Sequence, residues 1–279
     1  MKGEITTWLT RVRNQPLKKR FYQSINGLIV QLAGRPVKVS HLLEYPKCGG
    51  TWVRNMMQTY LGGKPYLVNQ FVKPKTVIHL HRKFSERFSY PVVLFRDPRD
   101  VYVSYYFYEK ALAKKISNLA INNHMKFGVE RDYKNELSQY LSIKLTKLTD
   151  PYFTYKQFVE SWHGRENVCY VLYENFHIMP VKELTKIIEF LGEEVDNYKV
   201  ENSIESNSFQ NVTLRKYGKS RMPGEEDTEK FQRKGVSGDW VNHFNDESCD
   251  IMKKHMGDVI IKLGYESNSS WNEKILTND

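Results

Sequence analysis

The sequence predicts an α/β fold: one domain with a central parallel β-sheet flanked by helices. Three observations carry this reading. Short β-branched or apolar runs bounded by turn residues alternate with stretches of helical period, the signature of crossover units. The 279 residues are 40% hydrophobic, enough for one sizeable core. No internal repeat or low-complexity tract interrupts the alternation. Residues 36–279 are expected to form the domain, and residues 1–35 a helical, basic extension packed upon it.

The strand candidates are VKVSHLLEY (37–45), TVIHLH (76–81), PVVLF (91–95) and NVCYVLY (167–173). Helices are expected at 51–62, after a glycine turn, and at 98–115, opened by Pro98. Three more are expected at 153–164, 181–192 and 246–264. Residues 116–150 are polar and receive no assignment. Residues 215–238, rich in Lys, Arg, Gly and Glu, read as a mobile loop. In the extension, Trp8, Leu9 and the cluster Leu17–Arg20 suit an amphipathic surface helix.

The chain carries 42 Lys and Arg against 32 Asp and Glu, a net charge of +10. A surface of that sign attracts anions without choosing among nucleic acid, acidic lipid and sulfated or phosphorylated small molecules. The basic residues sit at particular turns and helix starts rather than in one stripe, which argues against nucleic acid. Cys48, Cys169 and Cys249 are odd in number and widely spaced, so neither a disulfide framework nor a zinc pattern fits. The N-terminal residues lack an apolar segment of signal-peptide length. The expected setting is therefore the reducing cytoplasm, with peripheral membrane contact through the basic N-terminus as a second reading.

Three stretches suit anion chemistry. In EYPKCGGTW (44–52), a strand runs into a glycine turn and a helix start. Gly49 and Gly50 let backbone N–H groups converge, the helix adds its positive end, and Lys47 adds a full charge. The Lys-Ser/Thr ending of ATP-binding loops is missing. In FRDPRDVYVSYY (95–106), Arg96 leaves a strand just before a helix capped by Asp97, with Asp100 placed to complete a box. Ser104 lies about two turns in. In FQRKGVSGDWVNHF (231–244), Arg233 and Lys234 precede Gly235 in a phosphate-clamp pattern. Taken singly, each also fits an ordinary capped helix or a solvated turn.

Together and in this order, the three stretches resemble the PAPS-dependent sulfotransferases. YPKCGGTW is similar to that family's YPKSGTTW loop, FRDPRDVYVSYY to its RNPKDVAVSYY segment, and RKGVSGDWVNHF to its RKGxxGDWxNHF signature. VLYENF (171–176) and SNSFQNV (206–212) are weaker matches. The resemblance implies a fold like that of P-loop nucleotide kinases. It implies 3′-phosphoadenosine 5′-phosphosulfate (PAPS) as sulfuryl donor, with no metal requirement. It places Lys47, Cys48, Gly49, Gly50, Thr51 and Trp52 along the 5′ side, with Trp52 near the adenine. Arg96, Ser104, Arg233, Lys234 and Gly235 fall at the 3′-phosphate, and Tyr173, Asn207 and Phe209 around the base. Aligned on the family's KTHL stretch, His81 falls on the catalytic histidine and His79 on a lysine. The implied catalytic set is His81, Lys47 and His79: an imidazole titrating near neutrality suits removal of a proton from an attacking hydroxyl.

The acceptor is implied only as a small molecule, glycan or lipid bearing a hydroxyl or an amine. Its pocket would come from variable loops at 62–75, 82–90, 116–150 and 215–232, with Phe71, Phe84, Phe88, Tyr105 and Tyr106 as candidate lining. Several departures stand out. Cys48 replaces a serine and Gly50 a threonine. Beside Lys47 and a helix start, Cys48 is expected to have a lowered pKa and to react readily. His79 replaces a permanent cation. NHFNDESCD (242–250) lacks the family's Thr-Val pair, which leaves monomer or dimer open. Rival readings are an ATP-using P-loop kinase-like enzyme and a basic anion- or nucleic-acid-binding module. A two-histidine metal site lacks an evident third ligand.

Overall fold

The structure is a computed structural model, and it describes residues 17–63, 66, 70–115, 133–147, 151–208, 211 and 235–271. Arg233, Lys234 and Phe209, named above for the donor, lie outside the described residues, as does Trp8. Helix α1 (Leu17–Ala33) leads into β1 (Ser40–Glu44), α2 (Gly50–Leu61), β2 (Val77–Leu80), β3 (Pro91–Phe95) and α3 (Pro98–Lys115). There follow α4 (Tyr133–Thr146), α5 (Tyr155–Trp162), β4 (Cys169–Leu172), α6 (Tyr173–Ile178), α7 (Pro180–Phe190) and α8 (Asn197–Ser206). A 3₁₀ turn (Asp239–Asn242) precedes α9 (Asp246–Lys262).

The strands form one parallel sheet in the order β2-β1-β3-β4. Both β1 and β3 are buried along their whole length. That is why their sequences read as continuous apolar runs rather than alternating ones: helices cover both faces of a parallel sheet. The chain leaves β1 toward β2 and leaves β3 toward β4, on the opposite side. The β1–β3 gap is therefore the topological switch point, where α/β sheets open a crevice beyond the carboxyl ends of their strands. The loops after β1 and β3 border it.

Local chemistry sets the helix ends. Thr154 and Gln157 form a reciprocal capping box at α5. Asp196 caps α8 and Asn245 caps α9. Within 116–150, Tyr133–Thr146 is a helix that the polar sequence hides. It is anchored to α9 by Ser138, whose hydroxyl meets Asn245 Oδ1 and Ser248 Oγ at 2.8 Å each. The segment 242–250 is thus used internally, with Cys249 fully buried. The pocket reading fails for Tyr105 and Tyr106, which are core residues 5% and 0% exposed. Phe84 and Phe88 pack on Trp162, and Phe71 lies against Tyr22 of α1.

Candidate active site

The loop after β1 turns sharply. Lys47 has φ 77° and Gly49 φ 99°, both left-handed. At Gly49 a Cβ would also lie 2.5 Å from the Tyr173 ring, so glycine is required by backbone and neighbour alike. The turn ends in α2, whose first residues close onto the Gly49 carbonyl. Lys47 Nζ sits 4.3 Å from the centre of the Tyr108 ring on α3, so the loop cation is held toward the neighbouring helix.

Arg96 follows β3 and is 7% exposed. Its backbone is pinned by Tyr155, whose hydroxyl donates to Arg96 O at 2.5 Å. Its guanidinium donates to Lys47 O and to Val236 O, each at 3.1 Å, and lies 4.2 Å above the Tyr173 ring. Arg96 Nε finds no hydrogen-bond partner among the described residues. One side chain thus joins the β1 loop, the β3 loop and the stretch after Gly235.

Asp97 caps α3 by accepting from Arg99 N at 2.9 Å, as expected. Asp100 does not complete a box. Its carboxylate accepts from Gly238 N at 2.7 Å and Trp240 N at 3.0 Å, clamping the GDW turn against the helix start. Burial, opposed by the Arg96 charge, raises the Asp100 pKa. Arg99, three residues from Arg96, has another role: it pairs with Asp97 and Glu266 and lies over the Trp240 and Trp271 rings. It is a structural cation, whereas Arg96 keeps a donor with no partner among the described residues.

On the other side of the loop, Trp52 Nε1 donates to Asn207 O at 2.8 Å. Its ring stands 5.8 Å from Tyr173 and 4.9 Å from His177. Trp52, Tyr173 and Asn207 therefore come together, on α2, α6 and the end of α8. Burial and the Arg96 charge lower the His177 pKa to about 4. Ser104 is half-buried on α3.

The imidazoles are held by a residue that sequence reading missed. Glu44, the last residue of β1, is buried and accepts from Gly50 N at 2.6 Å and from His79 Nε2 at 2.8 Å. His81 Nδ1 faces the Glu44 carbonyl at 3.2 Å. A carbonyl only accepts, so Nδ1 carries the proton and Nε2 holds the lone pair. The side chain of His81 is 41% exposed, against 14% for His79. The only sequence signal for Glu44 was a carboxylate at the end of an apolar strand, two residues before Pro46. His177 and Glu174, which accepts from Asp97 N and Tyr265 OH, were also missed.

Cys48 reverses its expectation. The thiol is fully buried, and burial together with Glu44 pushes its pKa well above the ordinary range. Lys47 does not offset this, because its ammonium lies over Tyr108. A cavity of about 610 Å³ between α1 and the approach to β3, lined by Val30, Arg35, Glu86 and Phe88 among others, contains none of these site residues.

Comparison with known proteins bears on the whole arrangement. A model of the sulfotransferase domain matches residues 69–264. Sulfotransferase 1E1 from Bos taurus is 25% identical over 283 residues, covering 87% of this chain and 90% of that protein. Sulfotransferase 1C2 from Rattus norvegicus is 29% identical over 119 residues, 39% of this chain and 40% of that one. Among solved structures, mouse sulfotransferase SULT7A1 complexed with PAP superposes with a TM-score of 0.55 at 19% identity, over 81% of this chain and 87% of that one. Retinol dehydratase in complex with androsterone and inactive cofactor PAP gives 0.56 at 16%, over 86% and 85%. The shared fold is the single α/β domain just described.

Proposed function

The chain belongs to the sulfotransferase domain family, and we propose that it moves the sulfuryl group of PAPS to the hydroxyl of a small-molecule acceptor with His81 as general base. The observation that carries this is the convergence of three sequence-distant segments on Arg96: the glycine loop, the start of α3 and the stretch after Gly235. A buried guanidinium whose Nε–H has no partner among the described residues fits the 3′-phosphate. The Trp52–Tyr173–His177 wall fits a purine, and the left-handed turn at Gly49 fits the 5′ phosphosulfate. Arg233 and Lys234 complete the clamp in this reading.

His81 Nε2, its lone pair fixed by the Nδ1–H contact to Glu44, takes the acceptor proton as oxygen attacks sulfur. The departing group is the 5′-phosphate of the donor. Its charge is met by Lys47 and the positive end of α2. No nucleotide bond needs a divalent ion, because the donor arrives activated. His79, in the place of a lysine, is bound to Glu44 and lies against the His81 ring.

A membrane-near acceptor is the second reading, and α1 favours it. Phe21 (57% exposed), Leu28 (57%) and Leu32 (74%) fall within one narrow sector of the helix, behind a basic N-terminus. No helix among the described residues is long and apolar enough to cross a membrane. Two measurements test the proposal. Calorimetry with adenosine 3′,5′-bisphosphate should show one site of micromolar affinity without added metal. A labelled-donor screen over phenols, sterols, sugars and glycolipids, with and without anionic vesicles, identifies the acceptor class. No heat of binding at micromolar nucleotide overturns the assignment.

A further inference from the structure

We infer that Glu44, His79 and His81 form a site for a divalent cation of the zinc class, and that filling it arrests sulfuryl transfer. The ligand atoms of the three side chains lie within 4.8 Å of one another. His79 Nε2 is 2.8 Å from Glu44 Oε1, and His81 Nδ1 is 3.9 Å from the same oxygen. Ligands about 2.0–2.1 Å from a tetrahedral ion sit roughly 3.3 Å apart, so the set closes with shifts on the order of 1 Å. The half-exposed His81 ring, just beyond the end of β2, is placed to make most of that shift.

Two imidazoles and one carboxylate select a borderline ion such as zinc, cobalt or nickel over magnesium or calcium. The carboxylate is already oriented, because its second oxygen accepts from Gly50 N at 2.6 Å. Residue 50 has to be glycine for this: a Cβ there would meet Glu44 Cδ at 2.5 Å and His79 Nε2 at 2.6 Å. Two departures from the family pattern, glycine for threonine at 50 and histidine for lysine at 79, thus serve one cluster. Three protein ligands leave an open position for water.

The arrest follows from the tautomers, and this half of the inference rests on His81 as base. Each ring keeps its one proton. An ion on Nδ1 of His81 moves that proton, through solvent, to Nε2. Nε2 then has no lone pair to accept a proton from the acceptor. Nothing is oxidised or consumed, and removal of the ion restores the original tautomer. The ion is therefore an inhibitor of the reaction, with no place among its cofactors.

Cobalt(II) titrated into the full chain is the direct probe. The expected result is one ion per chain, with visible bands of a four- or five-coordinate site and no thiolate charge-transfer band from the buried Cys48. His79→Asn and Glu44→Gln should each weaken binding at least about tenfold, while His163→Ala, on the exposed end of α5, leaves it unchanged. His79→Asn carries the test if Glu44→Gln fails to fold. Zinc should inhibit transfer at saturating donor over the same concentration range, reversibly with chelator. Absence of binding, or binding indifferent to both substitutions, overturns the site. Binding without inhibition, or with stimulation, overturns the arrest and counts against His81 as base. A failure to bind adenosine 3′,5′-bisphosphate would remove the donor reading and leave the cobalt result standing.

Discussion

Glu44 and Arg96 are matched in position and opposite in circumstance. Each is a buried charge at the carboxyl end of a central strand, beside the switch point of the sheet. Arg96 has its counter-charge in Asp100, four residues on, while its hydrogen bonds reach Lys47 O and Val236 O far along the chain, and Asp100 in turn holds Gly238 and Trp240. Glu44 is compensated by the N–H of Gly50, six residues on, and by the ring of His79 on the paired strand β2. The first arrangement gathers loops from across the chain and builds a place for a ligand. The second builds a small polar cluster that orients two imidazoles. In the proposed function, binding and proton transfer fall to different strand ends, and they should fail separately.

The sharpest way to break that separation is His81→Ala. Loss of a general base costs about 10²–10⁴ in rate, and kcat should fall by that factor. Affinity for adenosine 3′,5′-bisphosphate, measured by calorimetry, should change by less than about twofold, because every contact at the Arg96 end is retained. A parallel loss of nucleotide affinity would mean that the two ends are one unit.

Gly49→Ala strikes the turn that both ends share. A left-handed residue with a Cβ costs about 1–2 kcal/mol, and the contact with Tyr173 at 2.5 Å adds overpacking of about 1–3 kcal/mol. Chemical denaturation should show a loss of about 2–5 kcal/mol, and nucleotide binding should weaken as Tyr173 is displaced. Gly50→Ala makes the contrast, since its clash is with Glu44 and His79. It should disturb transfer more than nucleotide binding.

The two ends were unequally legible in the sequence. The sheet could be read from four apolar runs, and all four strands lie within those runs. Arg96 and Gly49 stood out because each is tied to a turn or a helix start, a local feature that sequence shows directly, whereas Trp52 was named by the family resemblance. Glu44 did not, because its meaning arises only when β1 and β2 pair in parallel register and bring it beside residues 35 positions away. Asp100 misled for the same reason. Its spacing from Asp97 suits a local cap, yet its carboxylate is taken by backbone N–H groups 138 and 140 residues away. Cys48 misled in the opposite way: local positive charge suggested a reactive thiol, and tertiary burial prevailed. Helix α4 was missed because its amphipathic patterning is weak, and α8 because it is short and polar.

Arg96→Lys refines the comparison by keeping the charge and removing the fork. A lysine reaches one partner where the guanidinium reaches Lys47 O and Val236 O together. Nucleotide affinity should fall by about 10–100-fold, the range expected for losing one or two charge-assisted bonds. The turnover of whatever donor does bind should stay close to the parent value. A matching fall in kcat would show that Arg96 acts beyond binding.

The smallest effect belongs to His177, which stands against Trp52 and Tyr173 at the Arg96 end. Burial first, and the Arg96 charge second, lower its pKa from 6.5 to about 4. In the unfolded chain the ring gains a proton near its ordinary pKa, while in the folded protein it stays neutral until about pH 4. The unfolded state therefore binds more protons across that window, and the His177 contribution to stability falls as pH drops from about 6.5 toward 4. Asp100 and Glu174, whose pKa values are raised chiefly by burial, contribute the opposite slope. Only a difference between parent and variant isolates the histidine. His177→Gln should leave the thermal midpoint nearly unchanged at pH 7.5, where neither state is protonated, and should make the midpoint less sensitive to acid below pH 6.5. The same variant made in an Arg96→Lys background should give a smaller difference if the guanidinium fork holds the charge close to the ring, and an undiminished one if burial alone keeps the imidazole neutral.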